Sequence, residues 1–379
     1  MLVDMRIACI FLLFSGIVTA SGQSPQGTPA ANTDELVRDG ISAQQRGDFK
    51  TAIEDYRKAL EADPGRVDVR ANLGASLADS GQFDAAIAED ERALTAAPKN
   101  AGLRKNLGLA YYKKGDMAHA HEQFEQVHQA RPGDVATAVL QGYTDIKLKK
   151  GADAAAMLAP LEAGRENDFD FEYVLGYAYI LSGKETEGLP RMEKVAQATR
   201  SAEAYVIAGN VRLHRREFHE ARKDLDAAME LTPDFPGLAT MAGQARDALG
   251  DTEAAQPAFE AALKQDPKDF VANLYLGTML VKKRDFDRAR PLLEMALRLL
   301  PSAPLARLQM AKLNGMTGRL AEAAATLEEL EKADPNWLDP HIELAPIYYK
   351  LHRPEDGQRE REIVQKLEAS QQKAGPPKQ

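Results

Sequence analysis

The chain has few residues that could form covalent cross-links or bind metal through sulfur. Among its 379 residues there is one cysteine, Cys9, and it lies in an N-terminal apolar stretch. A disulfide needs a second cysteine, and a thiolate zinc site needs several, so both are excluded within this chain. Aromatic residues make up only 6% of the chain, which predicts a core built from small and aliphatic side chains.

Positive charge is also scarce. The 48 Lys and Arg residues are outnumbered by 57 Asp and Glu residues, which gives a formal net charge of −9. Nucleic-acid binding depends on a clustered surplus of Lys and Arg, so we expect no nucleic-acid partner. The G-x-S-x-G, P-loop, dinucleotide-binding and H-E-x-x-H patterns are absent, and the carboxylates are scattered. We therefore predict a protein that is not an enzyme and that uses no cofactor.

Only one apolar stretch is long enough to suggest targeting, Ile7 to Ala20. It is short for a membrane-spanning helix and fits the apolar core of a secretory signal peptide at residues 1–20, cleaved after Ala20. The mature chain would then have no membrane span and be periplasmic or secreted. An uncleaved N-terminal anchor that tethers the chain is the alternative. Residues 21–32 are rich in Gln, Ser, Pro and Gly and predict a flexible lead-in.

A small residue recurs along most of the chain at an interval of 34 residues, with one step of 33. The ten residues are Gly40, Gly74, Gly108, Gly142, Gly176, Gly209, Gly243, Gly277, Ala311 and Ala345. A period held this long indicates an array of stacked repeats, each of which buries its apolar face against its neighbours. We take these residues as position 8, which places the repeat starts near residues 33, 67, 101, 135, 169, 202, 236, 270, 304 and 338.

Other positions keep the same register. Position 20 is Ala or Gly in repeats one to nine, and position 32 is Pro in seven repeats, from Pro64 to Pro335. Position 24 is a large apolar residue such as Tyr56 or Phe124, with Asp90 as the exception. This pattern resembles the tetratricopeptide repeat, a helix–turn–helix unit of 34 residues. The resemblance covers residues 33–368, with the last repeat as a polar cap, and residues 369–379 are predicted to be disordered.

The resemblance implies an all-α fold, a right-handed superhelical solenoid of stacked antiparallel helix pairs. It also implies that the first helix of each pair lines a concave groove, with positions 2, 5, 9 and 12 facing a ligand. In repeats four to six several of these positions are apolar or aromatic. The candidate partner-binding residues are Val139, Tyr143, Ile146, Tyr173, Tyr177, Ile180, Val206 and Asn210. Exposed tyrosines suit recognition of a protein segment, but the same residues could instead pack between neighbouring helices.

Repeats three and four contain two further irregularities. His121, Glu125 and His128 follow the spacing of one helical face and could in principle bind a metal, but we interpret them as an ordinary helix face and predict no metal site. Pro160 falls inside the expected second helix of repeat four and should kink or shorten it.

The predicted function is a scaffold or assembly factor that binds an extended or helical segment of a partner protein in the concave groove. Two alternatives stay open at this point. One is an envelope module that binds polysaccharide or peptidoglycan, because aromatic platforms serve sugars as well as peptides. The other is a regulatory subunit of an enzyme. The oligomeric state is not predicted.

Overall fold

The computed structural model describes residues 29–374. Within this range the chain forms α-helices in consecutive pairs and no strand, which confirms the expected all-α fold of paired helices. No helix among the described residues is both long and apolar enough to cross a membrane. The predicted signal peptide at residues 1–20, with Cys9, lies outside the described residues, as do most of the lead-in and the last residues of the tail.

The chain divides into two compact units, Met1–Val211 and Arg212–Gln379. The helices that begin in the N-terminal unit are α1 Pro29–Gln45, α2 Phe49–Ala62, α3 Val67–Asp79, α4 Phe83–Ala96, α5 Ala101–Lys114, α6 Met117–Ala130, α7 Val135–Lys147, α8 Gly151–Leu158, α9 Phe169–Leu181, α10 Glu185–Thr199 and α11 Ala202–His214. Those of the C-terminal unit are α12 Phe218–Leu231, α13 Leu238–Ala248, α14 Thr252–Gln265, α15 Phe270–Lys282, α16 Phe286–Leu299, α17 Pro304–Met316, α18 Leu320–Ala333, α19 Leu338–Lys350 and α20 Pro354–Ala374.

Odd-numbered helices are the first of each pair and are called A helices, and even-numbered ones are called B helices. The two ends of the described chain are more helical than the sequence suggested. Helix α1 begins at Pro29, inside the predicted lead-in, and α20 continues to Ala374, inside the predicted tail.

The turn between the two helices of each pair needs a left-handed backbone at position 15. Glycine fills this position in six repeats, for example Gly81 with φ of 82° and Gly115 with φ of 89°. Lys149, Arg216, Arg284 and His352 adopt a φ of 60° at the same position. A residue with a Cβ has a steric cost in this conformation. These four residues adopt it nevertheless, so the repeat keeps its turn geometry even where glycine is missing.

Position 8 brings the two helices of a pair into close contact. A Cβ placed on Gly108 would lie 2.7 Å from Cε1 of Phe124, the residue at position 24 of the same repeat. Gly40 and Tyr56 have the same relationship, also at 2.7 Å. The large ring at position 24 therefore fills the space that the missing side chain at position 8 leaves open.

Pro160 shortens the second helix of repeat four, as expected. Helix α8 has eight residues and ends at Leu158, and a 3-10 turn of three residues, Ala159–Leu161, follows it. Proline offers no amide to the helical hydrogen-bond ladder and clashes with the preceding turn, which explains why the α-helix ends here.

Helices α9 and α10 contact each other through backbone at a pair of glycines. A Cβ placed on Gly188 would lie 2.5 Å from the carbonyl oxygen of Gly176 and 3.0 Å from the amide nitrogen of Ile180. We expect Gly188→Ala to lower the free energy of unfolding by about 1–3 kcal/mol, because backbone atoms cannot move aside locally. Thermal melts followed by circular dichroism will measure this. Gly133→Ala is the control, since Gly133 has no heavy atom within 4 Å of that point, and an equal loss in both variants would contradict the packing explanation.

Candidate interaction surface

The predicted groove residues all come from the A helices α7, α9 and α11 of the N-terminal unit, but most of them are not accessible. Tyr143 and Tyr173 are 1% and 0% exposed. Three aliphatic members are also buried, namely Val139, Ile146 and Val206. The members with accessible surface are Tyr177 and Ile180, which are half-buried, and Asn210, which is exposed.

Ring packing explains the burial of the tyrosines. The Tyr143 and Tyr173 rings are stacked with centroids 5.9 Å apart, and Tyr177 meets Tyr173 edge-on at 6.2 Å. Both geometries are favourable for aromatic pairs and add to the gain from burying the rings. The rings belong to a core cluster that also contains Phe171 and Leu175. Tyr143 and Tyr173 therefore pack between neighbouring helices, which is the second of the two arrangements that the sequence left open.

A buried carboxyl group lies beside these rings. Glu203 in α11 is 5% exposed, and its side chain is hydrogen-bonded with Tyr173. Burial raises the pKa of Tyr173 well above its usual range, and Glu203 adds to this increase. The pKa of Tyr177 is raised by the same two causes in the same order. Both hydroxyls therefore stay protonated at neutral pH, so the Tyr173 hydroxyl can donate to Glu203.

Two histidines of repeat three, His119 and His121, contact different carboxylates. The His121 ring lies with Nδ1 2.6 Å from Oδ1 of Asp145, and Lys150 Nζ donates to Nε2 over 3.2 Å. Because Nε2 accepts this bond, the Nδ1 proton of the neutral ring points at Asp145. Burial raises the pKa of Asp145 to about 6, although His121 opposes the shift. His119 instead pairs with Asp116 at 2.7 Å. The His121 contacts link α6 to α7 and the loop after it.

Sequence reasoning missed an exposed apolar face in the C-terminal unit. On α17, Leu305 and Met316 are 55% and 50% exposed, and on α19, Ile342 is 42% exposed. Leu305 and Ile342 occupy positions 2 and 5 of repeats nine and ten, so the four-position rule applied to those repeats would have found them.

The exposed apolar residues of the C-terminal unit lie on two neighbouring A helices. Leu305, Lys312 and Met316 lie on one side of α17, since their spacings of seven and four residues match the helical period. Lys312 Nζ lies 3.2 Å from Oε1 of Glu343 and joins α17 to α19, the neighbouring A helix. We call the exposed side of these two helices the C-terminal A face. It consists of Leu305 and Met316 of α17 and Ile342 of α19. Single exposed apolar residues are common, but three on two neighbouring A helices offer contact area that suits a partner.

Comparisons with known proteins agree with the helix pairs. A family model described as tetratricopeptide repeat matches residues 38–101, 76–135 and 240–304, and a second model with the same description matches residues 280–345. No curated protein is similar enough to count as a match.

Several solved structures are similar to this chain. A tetratricopeptide repeat protein from Parabacteroides merdae ATCC 43184 is 17% identical, with a TM-score of 0.50 over 65% of this chain and 97% of that one. MamA from Desulfovibrio magneticus RS-1 is 23% identical, with a TM-score of 0.40 over 45% and 96%. Yeast Tom70 is 14% identical, with a TM-score of 0.35 over 90% and 93%. Likeness at these identities concerns the fold alone.

Proposed function

The chain belongs to the tetratricopeptide repeat family, and on that premise we propose that it is a non-catalytic scaffold that binds a segment of a partner protein on its A helices. The observation that carries this proposal is the C-terminal A face, where Leu305, Met316 and Ile342 are about half exposed. An extended or helical segment with apolar side chains would remove these residues from water, and a few such anchors supply most of the affinity of an interface.

The N-terminal unit offers a smaller contact area on its A helices. Tyr177 and Ile180 keep part of their surface accessible, and Asn210 is exposed. We therefore narrow the proposed contact in this unit to these three residues. Burial of the Tyr143 and Tyr173 rings removes the flat aromatic platforms that a sugar would need, so a protein partner is favoured over polysaccharide or peptidoglycan. Export through the N-terminal apolar segment is part of the proposal and can be tested by N-terminal sequencing of the mature chain.

A paired comparison of variants tests the proposal. The first variant combines Leu305→Ser with Ile342→Ser, and the control combines Leu299→Ser with Leu300→Ser. The control residues are 38% and 46% exposed and lie at the end of a B helix, outside the two A helices of the proposed face. Loss of two apolar anchors should weaken binding at least about tenfold, whereas the control should keep wild-type affinity.

The measurement has two steps. Quantitative affinity capture from the source cells identifies a protein that the wild type and the control retain and the first variant loses. Titration of that purified protein against all three forms then gives the dissociation constants. If both variants lose the partner equally, or if neither does, the A helices are not the binding surface.

A further inference from the structure

Three ionisable side chains from three helices converge in the last repeat. His341 lies in the first turn of α19, Glu360 in α20, and Glu331 in the last turn of α18. His341 Nδ1 lies 2.6 Å from Oε2 of Glu360 and 4.0 Å from Oε1 of Glu331. One nitrogen and two oxygens of these side chains all lie within 4.8 Å of one another. His341 and Glu360 are 1% and 4% exposed.

Earlier repeats explain part of this arrangement. At position 4 of repeat two, Arg70 donates to the carbonyl oxygen of Pro64 at 3.0 Å and to Oε2 of Glu89 at 2.6 Å. Arg104 makes the corresponding pair of contacts in repeat three. The position-4 arginine thus joins the end of the preceding repeat to the B helix of its own repeat. Arginine remains protonated throughout the accessible pH range and acts only as a donor.

The last repeat replaces this arginine with histidine. Nε2 of His341 lies 3.0 Å from the carbonyl oxygen of Pro335, so the nitrogen carries a proton and donates it. Nδ1 is then the atom that faces Glu360, and its lone pair is available when the ring is neutral. A ring N–H held by a carbonyl oxygen is the usual way in which a metal-binding histidine is oriented.

A second departure from the repeat lies at position 28 of repeat nine. Four earlier repeats, one, two, seven and eight, have a leucine at this position, namely Leu60, Leu94, Leu263 and Leu297, whereas repeat four has Glu162 and repeat nine has Glu331. The Glu331 side chain is 29% exposed, and His341 is its only ion-pair partner among the described residues. Burial raises the pKa of Glu331, and the nearby Glu360 raises it further. His341 reproduces the two arginine contacts with Pro335 and Glu360 alone, so those contacts do not require a carboxyl group at Glu331.

The local positive charges have other partners. Arg353 pairs with Glu328 at 3.3 Å and with Asp356 at 2.6 Å, and Arg359 pairs with Asp356 at 3.0 Å. His341 is the group that both Glu331 and Glu360 contact, and Arg359 acts on Glu331 from a greater distance by opposing the rise in its pKa. Two carboxylates around one imidazole nitrogen attract a cation more strongly than either would alone.

We propose that Glu331, His341 and Glu360 bind a divalent metal ion of the zinc class, with water in the remaining coordination position. An imidazole nitrogen with carboxylate oxygens suits zinc better than magnesium or calcium, which prefer all-oxygen sites. The ligand atoms must carry no proton where they contact the metal, so binding would release to solvent any proton held between Nδ1 of His341 and Oε2 of Glu360. The Glu331 side chain is the most exposed of the three, so an ion would reach the site from its side. The ion then ties α20 to α18 and α19.

Zinc binding by the full chain, purified without a histidine tag, tests this inference. Isothermal titration with ZnCl₂ should show one saturable site, and the melting temperature should rise with zinc concentration. Two variants restore residues found in other repeats: His341→Arg rebuilds the arginine contacts of repeats two and three, and Glu331→Leu restores the leucine that repeats one, two, seven and eight have at position 28. Both should fold and lose zinc affinity on the order of 100-fold.

His119→Gln is the control, because His119 is an exposed histidine that pairs with Asp116 and stacks on Tyr111, far along the chain from the last repeat. This variant should bind zinc like the wild type. The inference is overturned if the wild type shows no saturable site, or if His341→Arg and Glu331→Leu bind zinc as tightly as the wild type. Magnesium titrated in place of zinc should give no saturable binding, and equal affinity for the two ions would contradict the assigned metal class.

Discussion

Replacing Asp90 with leucine is expected to stabilise repeat two by about 2–4 kcal/mol, which is unusually large for a single substitution. Asp90 is 1% exposed, and neither carboxyl oxygen has a hydrogen-bond partner among the described residues. It occupies position 24, where other repeats place Tyr56, Phe124 or Leu293 against the small residue at position 8. Burying a carboxyl group without a hydrogen-bond partner lowers the stability of the fold, because the group loses its contacts with water. An apolar side chain at position 24 has no such cost.

The stabilisation should depend on pH. Burial raises the pKa of Asp90 well above its usual value of 3.8, with Glu89 as a smaller cause. As the pH rises through 3.8, the unfolded chain releases this proton while the folded chain keeps it. The stability of the wild type therefore falls with increasing pH until the folded group also ionises. The difference between Asp90→Leu and the wild type should be smallest below pH 4 and grow above it.

Hydrogen exchange of the α3 and α4 amides is the measurement of choice, because a repeat array can open locally. Asp90→Asn is the matched control, since it removes the ionisable group but leaves a buried polar side chain. The control should lose the pH dependence without the full stabilisation. A destabilised Asp90→Leu, or one whose difference from the wild type does not change with pH, would show that the carboxyl group is satisfied in the fold.

Tyr173→Ala should lower the free energy of unfolding of the N-terminal unit by about 3–5 kcal/mol. Tyr173 is fully buried and contacts both the Tyr143 and Tyr177 rings, so its removal leaves a cavity in the core cluster. The substitution also removes the hydrogen bond between Tyr173 and the buried Glu203. Losing a buried aromatic ring and a buried polar contact together is among the most costly single changes available in this chain.

Denaturant unfolding followed by circular dichroism will measure the loss. Tyr173→Phe keeps the ring and removes the hydroxyl, so it should cost about 1–3 kcal/mol and separate the hydrogen bond from the packing. Tyr177→Ala is the comparison for a half-buried ring and should cost less than Tyr173→Ala. A Tyr173→Ala variant that melts like the wild type would indicate that this cluster is not part of the core.

The repeat register could be predicted from the sequence because each of its positions has a local physical cause. Position 15 needs a left-handed backbone, and every repeat from Gly47 to His352 has one there. Position 8 must be small because a ring such as Phe124 lies against it. These requirements act within one repeat, so a single sequence reveals them. The shortening of α8 at Pro160 was predictable for the same reason.

Accessibility of the proposed binding residues could not be predicted in the same way. Positions 2, 5, 9 and 12 describe a side of a helix, but whether that side is covered depends on the neighbouring repeats. Tyr143 and Ile342 follow the same positional rule, yet Tyr143 is buried under other rings and Ile342 is 42% exposed. The convergence of Glu331, His341 and Glu360 was also invisible, because the three residues lie on three helices and match no spacing motif.

Photo-crosslinking at residue 342 tests most directly whether the A helices bind a protein partner. A benzophenone amino acid replaces Ile342 in one form of the full chain and Leu299, the exposed residue at the end of a B helix, in another. Irradiation in the source cells, with mass spectrometry of the adducts, should give a discrete adduct with one protein from position 342 and none from position 299. The same adducts from both positions, or no adduct from position 342, would contradict a binding surface on the A helices.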